Sequence, residues 1–284
     1  MLELSIIITS LSLLAIAAYT DLKTLEVPDW LNFAAVAAGL GIHIIFSLEQ
    51  SNWWPIASSA AGFAIAFAIA CLMFYTGQWG GGDAKLLMAL GALIGFQPDK
   101  FAFSTSFLIN LVFIGAAWGL LWSLALSAIH WSAFAKTFKA LIHKKPYAQM
   151  RIISLLVAAA FIIFSFILQD VQIQLLGLAL VTYLLCYLSI FIKSVELSCM
   201  HKWITPDKLT EGDWLVHAVK SGKTKIIPSK LGLEKIQVAK LQKLYAQKKI
   251  SKLLVKYGVP FAPAFLLTFI ATLLFNNVIF ILLF

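Results

Sequence analysis

The chain has 284 residues, 61% of them hydrophobic and 12% charged, with a mean hydropathy of +0.90. That composition excludes an ordinary soluble enzyme and fits an integral membrane protein, because several apolar runs reach the roughly 20 residues that cross a bilayer core. The net charge of +9 does not point to nucleic acid: fourteen of the 22 Lys and Arg lie between Lys193 and Lys256 and most others in two short loops, as expected of cytoplasmic segments beside an anionic leaflet.

Apolar runs cover about Leu4–Thr20, Trp30–Leu48, Trp54–Thr76, Ala84–Phe96, Phe101–Ile129, Ile152–Leu168, Val171–Ile192 and Val259–Phe284. They predict an all-α, polytopic membrane protein of about eight transmembrane helices. The N-terminus, Met1-Leu2-Glu3-Leu4, lacks the basic stretch of a cleavable signal peptide. The fourth run is short, so it is expected to tilt, to be partly re-entrant, or to follow a loop that dips into the bilayer.

Loop one holds Lys23, loop three Lys85, and loop five Lys136, Lys139, Lys144, Lys145 and Arg151. Loop two has no base, loop four has Asp99 and Lys100, and loop six carries only Asp170. The odd loops are the basic ones, which places them in the cytoplasm and the N-terminus outside. Trp30, Trp53, Trp54 and Trp79 then lie at interfaces, where tryptophan is favoured.

Four parts are expected: a catalytic membrane core over residues 1–135, further membrane helices over 136–193, a small basic cytoplasmic insert over 194–257, and a last helix over 258–284. In the insert, Leu233 to Lys249 reads as a basic amphipathic helix. It either lies on anionic lipid or forms the solvated face of a small domain. Gly258-Val259-Pro260-Phe261-Ala262-Pro263 fixes a bend before the last helix. Cys71, Cys186 and Cys199 have no disulfide or zinc spacing, and neither a metal nor a cofactor is implied.

The chemistry concentrates in two stretches. Gly80-Gly81-Gly82-Asp83 sits between two apolar runs, and three glycines do not suit a helix interior. An ionisable residue beside irregular backbone near membrane depth is a functional candidate. Asp21 ends the first run, and the topology puts it on the same side as Asp83. Two close carboxylates share one proton and can hydrolyse a peptide bond without a metal, as in the aspartic proteases that exemplify such pairs. Asp83 lies near a helix start, which favours its anion; Asp21 lies at a helix end, which disfavours one, so Asp21 is expected to begin protonated. Gly80 and Gly82 would let an extended substrate backbone approach. Pro28 holds Val27 extended and shapes the loop that carries Asp21. Lys85 reads as a snorkelling interfacial charge, Asp29 as the cap of the second helix, Asp213 as a turn residue, and His43 and His130 as packing residues.

With these residues the sequence resembles the type IV prepilin peptidases. Asp21-Leu22-Lys23-Thr24-Leu25-Glu26-Val27-Pro28-Asp29 looks like their first motif, and Gly80-Gly81-Gly82-Asp83 their GxGD motif, about sixty residues on. Leu209-Thr210-Glu211-Gly212-Asp213-Trp214 and Gly258 to Pro263 resemble the archaeal preflagellin and prepilin peptidase branch. The resemblance implies a membrane aspartic endopeptidase that removes short basic leaders from prepilin-type precursors. Asp21 and Asp83 would be catalytic, and the precursors and membrane lipid would be its partners. Glu26, Asp29 and Glu211 are candidates for meeting leader lysines. The chain departs from the pattern in having no cysteine-rich domain and about eight spans where six are usual.

Two alternatives stay open. One is a presenilin-like GxGD protease, although no Pro-Ala-Leu motif occurs. The other is a polytopic cation- or proton-coupled carrier that uses the same two aspartates.

Overall fold

The computed structural model describes residues 1–99, 102–221, 224–229, 231–278 and 280. Lys100 of loop four, the first residue of the fifth apolar run, Lys223 and Lys230 of the insert, and Ile279 and the last four residues of the eighth run lie outside them. Among the described residues six helices are long and apolar enough to cross a membrane: α1 (Leu2–Thr24), α2 (Asp29–Glu49), α3 (Trp54–Tyr75), α5 (Phe103–Ile129), α7 (Lys145–Ile167) and the stretch Gln169–Cys199, which contains α8 (Gln172–Cys199). The chain is a multi-pass, all-α membrane protein. Six of the about eight expected spans thus reach full length among the described residues. The fourth and eighth runs form α4 (Gly81–Ile94) and α10 (Ala262–Phe275), each of 14 residues. At 1.5 Å per residue each is about 21 Å long, short of a hydrocarbon core of about 30 Å.

Two compact units divide the chain, residues 1–121 with 203–284 and residues 122–202. In the first, α4 is the innermost helix. Leu86, Leu87, Ala89, Leu90, Ala92 and Leu93 are all buried, so it is covered all round rather than on one stripe. It packs on α3, α2 and α1, and α1 packs on α10. Small residues bring α3 and α4 close: a Cβ at Gly62 or at Gly91 would collide with the other helix. Polar ties fix the end of α4 away from the aspartates. Ser59 Oγ donates to the Ala92 carbonyl at 2.6 Å, His43 Nε2 lies 3.0 Å from the Leu93 carbonyl, and Ser58 Oγ donates to Phe96 O at 2.8 Å. Asn110 of α5 holds the end of α10, its amide donating to Thr272 Oγ1 at 3.0 Å and to Asn276 O at 2.6 Å.

The insert adds short strands: β1 (His201–Ile204), β2 (Trp214–Leu215), β3 (Val219–Ser221), β4 (Thr224–Ile226) and β5 (Leu253–Lys256). β1, β5 and β2 form one sheet in that order, and β3 pairs with β4 in a hairpin. The insert helix α9 spans Lys235–Ala246, narrower than expected because Glu234 and Gln237 close a capping box before it. Its Val238 and Leu241 pack with Ile204, Leu215, Leu233 and Val255. The apolar side of α9 thus belongs to the insert's own core, and Lys235 and Lys240 are exposed. Ile236, expected on the apolar side, is 66% exposed.

In the second unit, the basic loop five contains a helix, α6 (Trp131–Ile142). It packs on α8, and α7 packs on α8 as well. Phe134 meets the rings of Phe138 and Phe191. The Arg151 guanidinium lies 5.7 Å from the Tyr187 ring and donates to the Ile142 carbonyl at 3.2 Å.

Candidate active site

α1 stops at Leu25, whose left-handed backbone (φ 59°) returns its N–H to the Asp21 carbonyl. Asp21 is therefore in the last turn, with its side chain turned inward and only 5% exposed. Glu26 and Val27 follow. Pro28, extended at φ −60° and ψ 134°, starts α2. Opposite, Gly80 is the residue before α4, with φ −72° and ψ 165°, and Gly81, Gly82 and Asp83 form the first helical turn. The glycines do not make an irregular loop at Asp83, as expected; the irregular stretch ends at Gly80.

No positive φ is needed at these glycines, and what they provide is room. A Cβ at Gly82 would stand 3.4 Å from the Val27 side chain, and one at Gly80 3.7 Å from the Asp83 carboxylate. Val27 against Gly82 is the contact by which the first motif meets the second. A second tie joins them: Lys85 Nζ lies 2.6 Å from Asp29 Oδ1 and packs over the Phe33 ring. Lys85 is thus an ion-pair partner rather than a free snorkelling charge. Asp29 makes that pair rather than a side-chain cap of α2.

The Asp83 carboxyl group is near enough to Asp21 to feel its charge. The surroundings of Asp21 differ from the expected ones. Asp21 sits at the N-terminus of α10, where the Ala262 N–H donates to its Oδ2 at 2.8 Å. It thus faces the start of α10 as well as lying at the end of α1. This backbone donor was beyond the sequence reading, which took Gly258 to Pro263 only as a bend and as a patch of resemblance.

The insert reaches the same end of this unit. Asp213 shapes its own turn by accepting the Thr210 N–H at 2.8 Å, and Gly212 before it needs φ +94°. Burial pushes the Asp213 carboxyl above its ordinary value of 3.8, the Thr210 N–H opposes this, and nearby Glu26 adds to the rise. A group that holds its proton more tightly when folded favours the fold while protonated. That contribution is lost as pH rises from the unfolded value through the raised one. Asp213→Asn keeps the acceptor and cannot ionise. Its melting temperature is expected to exceed that of the wild type at pH 7, with the gap closing as pH falls toward 4 in a thermal scan. A gap independent of pH would contradict this.

Both motifs fall within one segment recognised by comparison. Residues 8–132 match the type IV leader peptidase family. Among similar proteins, a preflagellin peptidase of Methanococcus voltae is 41% identical over 81 residues, which are 28% of this chain and 34% of that protein. The prepilin peptidase EppA of Methanothermobacter thermautotrophicus is 32% identical over 88 residues, 31% of this chain and 23% of the other. A preflagellin peptidase of Methanococcus maripaludis is 32% identical over 102 residues, 36% and 44% respectively. The chain therefore spans between about a quarter and under a half of the curated relatives it matches. No solved structure matches it.

Proposed function

We propose that this chain is a membrane aspartic endopeptidase that cleaves short basic leaders from prepilin- or preflagellin-type precursors. Asp21 and Asp83 are its catalytic pair and the chemistry resides in residues 1–135 together with the last helix. The observation that carries the reading is the approach of two carboxylates from separate motifs at one end of the bundle. Asp21 accepts the Ala262 N–H, and both residues lie in the segment that matches the leader peptidase family.

Asp21, whose carboxylate accepts the Ala262 N–H, serves as the base that takes a proton from water. Asp83 holds the shared proton and gives it to the scissile carbonyl oxygen as water attacks. The leaving amine is protonated as the tetrahedral intermediate collapses, and the pair returns to its starting state. Gly80 and Gly82 leave the backbone beside Asp83 open to an extended peptide, and Pro28 holds Val27 against Gly82. The positive charge of loop one and of the insert supports a cytoplasmic location for this end of the bundle. A precursor would then be cut where its leader meets its membrane helix. The names of the relatives, preflagellin and prepilin peptidase, support that substrate class. The test is cleavage of such a precursor by the purified chain, read by the mass of the released leader. A precursor that stays intact overturns the reading.

A further inference from the structure

α10 begins without a cap of its own. Its first residue follows Phe261, whose side chain cannot accept a hydrogen bond, and no side-chain cap is present. The free N–H groups of a helix start need acceptors, and Asp21, on a different helix, supplies one. What holds this start against Asp21 is a set of interlocked contacts. The Phe261 ring lies 5.8 Å from the Trp79 ring and 5.7 Å from that of Phe265, and Trp79 lies 5.6 Å from Phe265, which closes a triangle. Behind Phe261 is Gly115 of α5, where a Cβ would come within 2.7 Å of the ring. One residue earlier, Pro260 presents its carbonyl to Trp118 Nε1–H at 2.8 Å.

Trp79 directly precedes Gly80-Gly81-Gly82-Asp83. One ring therefore touches the stretch that carries Asp83, while its own peptide group serves Asp21. The triangle holds no ionisable side chain, so its work is placement.

We infer that Phe261 is a positioning residue of the aspartate pair, its ring seated on Trp79 and Gly115 so that the start of α10 meets Asp21 while the Gly80–Asp83 turn is held opposite. This rests on the proteolytic reading of the same site. It also gives the insert a task. β5 ends at Lys256, and only Tyr257, Gly258 and Val259 separate it from Pro260, so the insert's sheet anchors the strand of chain that places the donor.

The experiment compares the purified wild type with Phe261→Ala, Phe261→Leu, Gly115→Ala and the pair Gly115→Ala/Phe261→Leu. Each is quantified as folded protein by size-exclusion chromatography. Two readouts are taken: kcat and KM on a prepilin-type precursor, and infrared titration of the carboxyl stretch, with the Asp21 band identified by its loss in Asp21→Asn. Misplacement by about an ångström costs on the order of 100-fold in rate. Phe261→Ala is therefore expected to lower kcat by about 10- to 100-fold with KM within about two-fold, and to move the Asp21 titration. Gly115→Ala should lower kcat by crowding the ring, and the smaller leucine in the paired variant should recover most of it. Variants that match the wild type per folded molecule in both readouts overturn the inference. If the wild type does not cut at all, the proteolytic reading fails, and the infrared titration alone then decides whether Phe261 governs Asp21.

Discussion

Asp21→Asn and Asp83→Asn are each expected to reduce precursor cleavage by about three orders of magnitude or more, since the two residues act as a unit and neither can do the other's task. Asparagine keeps the shape and the acceptor oxygen. At position 21 it still receives the Ala262 N–H, so α10 stays in place. Both variants should therefore insert and migrate as the wild type does. The double variant should be hardly worse than either single one, because removing one half of a shared-proton pair already disables it. Initial rates on a common precursor, with expression checked by immunoblot, give the answer. Losses that multiply in the double variant would mean two independent contributions and not a pair.

The second large effect is on stability. Gly91→Leu is expected to unfold the first unit or to lower its melting temperature by several degrees, because overpacking a close helix contact costs about 1–3 kcal/mol and sometimes more. The reason is local: even a Cβ at Gly91 would run into the Ala66 side chain and the Gly62 backbone. Neither neighbour can yield without moving α3, and α3 is tied to α4 through Ser58 and Ser59. Gly41→Leu is the control. A Cβ there meets nothing within 4 Å, and leucine suits a helix better than glycine. A detergent thermal scan should show Gly41→Leu at or above the wild type and Gly91→Leu well below it. Equal melting temperatures would remove close α3–α4 packing as a source of stability.

The long helices were legible because each is an apolar run, and the aspartates because each stands in a short motif at the edge of one. α6 was legible in principle: Phe134, Phe138 and Leu141 follow a helical period, but the lysines between them read as a basic loop. The strands of the insert are two to four residues long, too short for alternation to show. The length of α4 was read as too small for a span, but not its place. Nothing in the sequence shows that a short apolar helix is covered on all sides rather than tilted. The Lys85–Asp29 pair joins residues 56 apart, and the Ala262–Asp21 bond residues 241 apart. The second is made by a backbone N–H, which every residue except proline carries and which therefore leaves no mark. Only Pro260 and Pro263 hinted that the chain is held rigidly at that point.

The most direct test is to mix the purified chain in detergent with a precursor that joins a short basic leader to an apolar helix, and to weigh the products by mass spectrometry. Asp83→Asn is run beside it. A single cut at the junction of leader and helix, absent with Asp83→Asn, is the predicted result. An intact precursor, or a cut that persists with Asp83→Asn, would contradict it.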